Sequence, residues 1–364
     1  MMEIRSSVDH NFWSGKRVLI TGHTGFKGGW LALWLNSMGA KVIGFALEPD
    51  TKPSLFRIAN IENILIKSYQ GDIRDIDSIR FSLNYEAPEI VFHLAAQSLV
   101  RESYSNPVDT YSTNIMGTVN LLDCLRTVDG VKATVIVSSD KCYENKEWLW
   151  GYREIDPMGG YDPYSSSKGC VELISAAFRQ SFFNDNKYQE HGHSIATARA
   201  GNVIGGGDWA RDRLIPDAIK AFESKSDLIL RNPNSIRPWQ HVLEPLSGYL
   251  MLAQQLYRSG PSFSGAWNFG PPVEDSRPVN EVVNILEKYW KGDINLHKEI
   301  KSSNFHEANL LMLDCSKAYQ KLSWKPRWNI QMAIKKTAEW YTAFGNGDDM
   351  QNFTLMQIAE YSQD

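Results

Sequence analysis

The chain has 364 residues, 43% of them apolar, with 38 basic against 42 acidic side chains and a formal net charge of −4. That length predicts two domains or one enlarged α/β domain, and the charge, with no local run of Lys and Arg, excludes a nucleic-acid footprint. Four scattered cysteines without a CxxC pair (Cys124, Cys142, Cys170, Cys315) read as free thiols, and no His/Cys/Asp spacing suggests a metal site. The N-terminus lacks the apolar stretch of a secretory signal. No segment approaches ~18 uninterrupted apolar residues, so the expectation is a cytoplasmic protein outside the membrane.

In chain order, Arg17–Thr21 reads as a buried strand. It runs into Thr21-Gly22-His23-Thr24-Gly25-Phe26-Lys27-Gly28-Gly29, with glycines at 22, 25 and 28, and then into a helix over 30–38 that stops at Gly39. Glycine permits the tight turn and lets backbone amides approach a pyrophosphate at the helix N-terminus. Between a strand and a helix at the start of the chain, that loop predicts a nicotinamide dinucleotide held by Gly22, Thr24, Gly25, Phe26, Lys27 and Gly28. The second strand, Lys41–Ala46, ends without an immediate acid for the adenosine ribose; Glu48 comes late, and no arginine stands there for a 2′-phosphate. NAD is therefore expected over NADP. Asp72, before Ile73, is placed to accept the adenine amino group, and Leu94-Ala95-Ala96 supplies small residues where backbone passes the cofactor.

Further strands are expected at 64–68, 90–94, Ala133–Val137 and 194–199, with helices at 113–126 and 166–183 between them. Alternation of this kind predicts a parallel sheet with helices on both faces. After about residue 199, loops at Gly205-Gly206-Gly207 and Gly270-Pro271-Pro272 interrupt the pattern, with helices expected at 245–257 and 280–291. The expected division is a Rossmann domain over 1–200, a smaller α/β substrate domain over 201–345 interleaved with it, and a polar tail over 346–364, helical or disordered. The ligand belongs in the crevice between the first two.

Of fifteen tyrosines, Tyr164 alone has a lysine four residues on, at Lys168. On a helix the two share a face, and an ammonium there depresses a phenol pKa towards a usable base. Together with the glycine loop this points to hydride chemistry.

These residues, with Asn114-Ile115-Met116-Gly117-Thr118, resemble the extended short-chain dehydrogenase/reductase superfamily across nearly the whole chain. Ser138-Ser139-Asp140-Lys141-Cys142-Tyr143 narrows the resemblance to nucleotide-sugar 4,6-dehydratases. A lysine where most of them carry glutamate looks like the branch that acts on CDP-glucose, as do Arg237-Pro238-Trp239-Gln240-His241-Val242 and His306-Glu307-Ala308. The resemblance implies loss of water from CDP-D-glucose, in 3,6-dideoxyhexose synthesis for the lipopolysaccharide O-antigen. It implies Tyr164 and Lys168 for oxidation at C4, Ser139 on the C4 oxygen and Asp140 as the acid at C6, with Asn114, Tyr164 and Lys168 also touching the cofactor. Lys141 is either the neutral base at C5 or a charged group stabilising the enolate; the base role is preferred.

Candidate substrate contacts are Ser98, Asn202, Arg213, Arg237, His306 and Glu307, the arginines because their forked donors suit a diphosphate. Trp209 and Trp239 read as core before cytosine platforms, Trp30 and Trp34 as packing, and His93 as a satisfied core histidine. In relatives the helices equivalent to 113–126 and 166–183 build a dimer core, which implies a homodimer or homotetramer. Two rival readings are a related dehydratase or 4-epimerase, for which product mass discriminates, and a dinucleotide-binding sensor without catalysis.

Overall fold

A computed structural model describes residues 7–290, the backbone of 298–300, and residues 310–363. Strands β1 (Arg17–Thr21), β2 (Lys41–Ala46), β3 (Lys67–Gln70), β4 (Ile90–His93), β5 (Ala133–Val137), β6 (Ser194–Ala200) and β10 (Gly265–Phe269) form one sheet. Its order is β10-β6-β5-β4-β1-β2-β3, and every pairing is parallel. A smaller sheet joins β7 (Asn202–Ile204), β9 (Ile236–His241) and β11 (Ser276–Pro278), while β8 (Leu228–Leu230) pairs with β12 (Lys298–Ile300).

Successive strand residues point to opposite faces, and the sequence fills both with apolar side chains. Val18, Ile20, Val42, Phe92 and Val135 enter one core, which the helices Phe26–Ser37 and Leu243–Ser259 cover. Leu19, Ile43, Val91 and Ile136 enter the other, under Ile76–Glu86, Gly117–Leu125 and Pro163–Ser181. This is the doubly wound α/β fold expected from the alternation. Strand order reverses between β1 and β4, and the loops leaving those two strands open the crevice where such folds bind ligands.

Three details depart from expectation, and a fourth decides between two alternatives left open. The third strand begins at Lys67, because Ile61 turns under the Phe26–Ser37 helix against Gly29; the edge strand itself is polar. The helix expected over 113–126 opens as a π turn, Ser112–Met116, before the α-helix Gly117–Leu125. The second half returns to the first through β10, and its short strands were not anticipated. The polar tail is a helix, Met350–Gln363, whose Met350, Thr354, Gln357, Ile358 and Tyr361 are buried at helical spacing, with Tyr361 edge-on to Trp34. Trp30 and Trp34 are fully packed. Among the described residues no helix is long and apolar enough to cross a membrane.

Candidate active site

A cleft of about 690 Å³ opens along the crevice between β1 and β4. The glycine loop forms one wall, and two of its glycines are required by contact. A Cβ on Gly22, which has φ +79°, would lie 2.8 Å from the Ala95 amide nitrogen; one on Gly28 would lie 2.2 Å from the Gly22 carbonyl oxygen. Gly25 caps the helix, so the unpaired first-turn amides and the positive end of the dipole face the cleft. Thr24 Oγ1 donates to the Leu47 carbonyl at 2.9 Å and ties the loop to the end of β2. Beneath the loop, His23 is buried against Ser68 Oγ at 2.8 Å, and burial holds it neutral at about 4. A cradle that any side chain would fill, at a helix N-terminus, fits a dinucleotide pyrophosphate.

Leu47, Glu48 and Asp50 line the cleft past β2, and Glu48 is paired with Arg57. Two carboxylates there suit a ribose diol and oppose a 2′-phosphate. Asp72 and Ile73 also line the cleft. Asp72 is chelated by Arg74, whose Nε lies 3.0 Å from both carboxylate oxygens, and these bonds hold its carboxyl below the usual range. An adenine amino group would share an acceptor with that guanidinium, a partner the sequence reading missed. Leu94, Ala95 and Ala96 line the opposite wall, where the amides of Leu94 and Ala95 both donate to Thr21 Oγ1 at 3.2 Å.

Asn114 is buried next to cleft-lining Thr113 and serves a structural role. Its amide accepts from the Gln97 amide at 2.8 Å and donates to the Gln97 carbonyl and to Ser167 Oγ, bracing the loop after β4 against the Pro163–Ser181 helix. Nearby, His93 sits between Thr21 Oγ1 (2.7 Å) and Thr118 Oγ1 (3.1 Å), and burial lowers it to about 3: a satisfied core histidine.

The helix Pro163–Ser181 starts at Asp162, which accepts from the Ser165 amide at 2.8 Å, with Pro163 in the first turn. This places Tyr164 and then Lys168 on the cleft wall, both nearly inaccessible. Contrary to expectation, the phenol is not depressed. Burial pushes Tyr164 up to about 12, although the Ser139 hydroxyl and Arg213 pull it back. Burial also draws Lys168 down to about 8, and its Nζ donates to the Val137 carbonyl at 3.4 Å. Lys27 keeps some surface open to the cleft, yet enough protein surrounds it that burial lowers it too, to about 8.

Opposite, the chain leaves β5 as Ser138 and Ser139 and turns through Asp140–Cys142. Ser139 Oγ donates to Asp140 Oδ1 at 2.9 Å. Asp140 Oδ2 is buried over Gly201 without a hydrogen-bond partner, and burial raises this carboxyl, against the charges of Lys141 and Arg237. Lys141, partly exposed, lines the same cleft. Cys142 is buried with its thiol pushed well up, an inert group.

Asn202, Arg213, Arg237 and Ser98 line the remaining wall. Arg213 is held by Asp208 at 2.8 Å and reaches Ser98 Oγ at 3.1 Å. Trp239 donates to the Arg277 carbonyl at 3.1 Å, and Trp209 packs edge-on against Trp340 and Tyr341; both pack into the core and also line the cleft. His306 and Glu307 lie outside the described residues. The sequence reading also missed the buried pair Glu172–Arg199 behind the site; Glu172 stands four residues beyond Lys168, a repeat of the spacing already used to find Lys168.

Comparison with known proteins agrees with this geometry. Residues 19–337 match the family described as GDP-mannose 4,6 dehydratase. The chain is 54% identical over 354 residues to CDP-glucose 4,6-dehydratase of Salmonella typhimurium, covering 97% of this chain and 98% of the relative. It is 29% identical to UDP-glucuronate 4-epimerase 4 of Arabidopsis thaliana, over 95% of this chain and 78% of the relative. A solved dTDP-glucose 4,6-dehydratase from Streptomyces venezuelae, with NAD and TYD bound, shares the fold at TM-score 0.77 and 21% identity, covering 92% of this chain and 100% of that one. A glycine cradle at the sheet's switch point, facing a tyrosine–lysine helix across a serine–aspartate–lysine turn, thus sits on a chain that belongs to the GDP-mannose 4,6-dehydratase family of nucleotide-sugar enzymes.

Proposed function

We propose that this protein converts CDP-D-glucose to CDP-4-dehydro-6-deoxy-D-glucose and water, with NAD as a catalytic cofactor. The observation that carries the reading is 54% identity along 97% of the chain to an enzyme of that name. Bound NAD would supply reversible hydride storage between C4 and C6, with no net change in its oxidation state. Tyr164, beside Lys168, takes the C4 hydroxyl proton, and Ser139 hydrogen-bonds the C4 oxygen. The ketone formed at C4 acidifies the C5 hydrogen. Lys141 removes that proton as the base. Asp140, buried and unpartnered at Oδ2, protonates the C6 oxygen as water departs, a task that burial favours by raising the carboxyl's hold on its proton. A proton then returns to C5, and one water is lost.

Lys27, Lys141, Lys168, Arg213 and Arg237 line the cleft among several carboxylates, and cationic donors of this kind suit a diphosphate. Arg213, Arg237, Asn202 and Ser98 are assigned to that substrate, with His306 and Glu307 towards the nucleoside. The loop residues Gly22, Thr24, Gly25, Phe26, Lys27 and Gly28, with Asp72, Ile73, Leu94, Ala95 and Ala96, are assigned to NAD. Exposed Met116 and Leu173 on the 112–125 and 163–181 helices support a homodimer, open to further pairing. We assign the reaction to 3,6-dideoxyhexose synthesis for the O-antigen, in the cytoplasm.

Incubation with CDP-glucose, dTDP-glucose and GDP-mannose, read by product mass, tests the reading. Loss of one water from CDP-glucose is expected. Unchanged mass with a new sugar epimer would mean a 4-epimerase, and loss of water only from another nucleotide sugar would move the specificity.

A further inference from the structure

We propose that the buried Glu172–Arg199 ion pair is a positioning clamp that grips the catalytic segment 138–143 at both ends. Glu172 lies on the helix face that carries Tyr164 and Lys168, one turn further on. Its Oε1 accepts from Ser138 Oγ, and its Oε2 accepts from Thr197 Oγ1 at 2.7 Å and Arg199 Nη2 at 2.8 Å. Arg199 Nη1 donates in turn to the Tyr143 hydroxyl at 2.6 Å, and that hydroxyl donates to Asn268 Oδ1 at 2.8 Å. Ser138 and Tyr143 are the two ends of the segment that holds Ser139, Asp140 and Lys141.

The segment needs such a grip because the sheet lets go of it. Its first residue still makes a backbone bond, Ser138 amide to the Ala198 carbonyl at 2.9 Å, and then the chain turns away. Backbone bonding to the rest of the chain resumes only at the far end, where the Gly159 amide donates to the Cys142 carbonyl at 2.8 Å, so residues 139–141 rely on their own turn and on side chains for their register against Tyr164 and Lys168. The ion pair spans the helix and β6, with side chains 4% and 3% exposed. An apolar pair of equal size would serve stability about as well. It would offer no directed bonds to the hydroxyls of residues 138 and 143. Position explains what stability does not.

This inference rests on the dehydratase reading, and the experiment separates the two. Ser138→Ala and Tyr143→Phe each release one end and leave the ion pair in place, which avoids the folding loss expected from Glu172→Gln. Each is expected to lower kcat about 10- to 100-fold with KM for CDP-glucose changed less than about threefold. Elimination, which uses Asp140 and Lys141, slows more than oxidation at C4, so reduced nicotinamide accumulates during turnover. Without any ligand, amide hydrogen exchange across 138–143 quickens in both variants more than in the rest of the sheet, beyond the modest drop in melting temperature that one or two lost hydrogen bonds bring. Wild-type kcat with unchanged exchange would overturn the clamp, as would equal slowing of both half-reactions with unchanged exchange. If wild-type protein leaves CDP-glucose untouched, the substrate reading fails, and the exchange measurement still decides the clamp.

Discussion

Two buried glutamates, one behind the active site and one far from it, meet opposite electrostatic fates. Glu172 is buried, which opposes its charge, but Arg199 at 2.8 Å and two hydroxyl donors outweigh burial and hold its carboxyl below the usual range. Glu244, in the first turn of the Leu243–Ser259 helix, accepts from three neutral donors: the Arg327 amide (3.0 Å), the Trp328 amide (2.7 Å) and the Tyr361 hydroxyl (2.6 Å). There burial wins and pushes the carboxyl up to about 7. The number of hydrogen bonds does not decide ionisation; a cation at contact does. The two sites do different work accordingly. The charged one holds a segment that must stay in register for chemistry. The other ties the C-terminal helix onto Trp34 and Trp328 under the cofactor-loop helix.

The contrast can be broken from either side. The largest effect is expected at the chemistry itself: Tyr164→Phe should lower turnover about 10²- to 10⁴-fold with an unchanged melting temperature, checked by steady-state kinetics beside thermal melts. Glu172→Gln should cost about 3–5 kcal/mol in denaturant unfolding, because it strands Arg199 in the interior. The double variant Glu172→Gln with Arg199→Met should recover much of that loss; no recovery would mean the two side chains act independently.

Glu244 gives the pH test. Its folded pKa of about 7 lies above the ordinary 4.5, so the folded state holds the proton more tightly. Stability from this group is full below about 4.5 and is lost as pH rises through 7, in total on the order of 3 kcal/mol. Unfolding of wild type relative to Glu244→Gln from pH 4.5 to 7.5 should show that decline; a flat difference would mean an ionised carboxylate throughout. Glu172 has the reverse sign, contributing stability above the ordinary glutamate range and losing it as pH falls through its lowered pKa. The smallest effect is Tyr361→Phe, about 1 kcal/mol from the hydroxyl's bonding to Glu244 and Ser247, with kcat unchanged.

What could be read in advance depended on how local the constraint was. Gly22 and Gly28 announce themselves because a backbone atom occupies the space of a Cβ, and Tyr164 and Lys168 because helical spacing alone pairs them. Strands β1, β2, β4, β5 and β6 were legible from apolar runs; polar edge strand β3 was expected too early, and β10 was not anticipated. Arg74 on Asp72 and the bracing role of Asn114 were not, since each depends on a contact that no spacing announces. The phenol of Tyr164 shows the limit on electrostatics: the lysine is where the spacing put it, but burial raises the phenol and it is the Ser139 hydroxyl and Arg213 that oppose burial. The C-terminal helix looked like a polar tail because its buried face is mixed, with Thr354 and Gln357 beside Ile358 and Tyr361.

The most direct test of the account uses CDP-glucose deuterated at C4, turned over in ordinary water. An enzyme that stores the C4 hydrogen and returns it yields CDP-4-dehydro-6-deoxyglucose with the deuterium at C6 and a solvent hydrogen at C5. Deuterium lost to solvent, or a product of unchanged composition with the label still at C4, would contradict it.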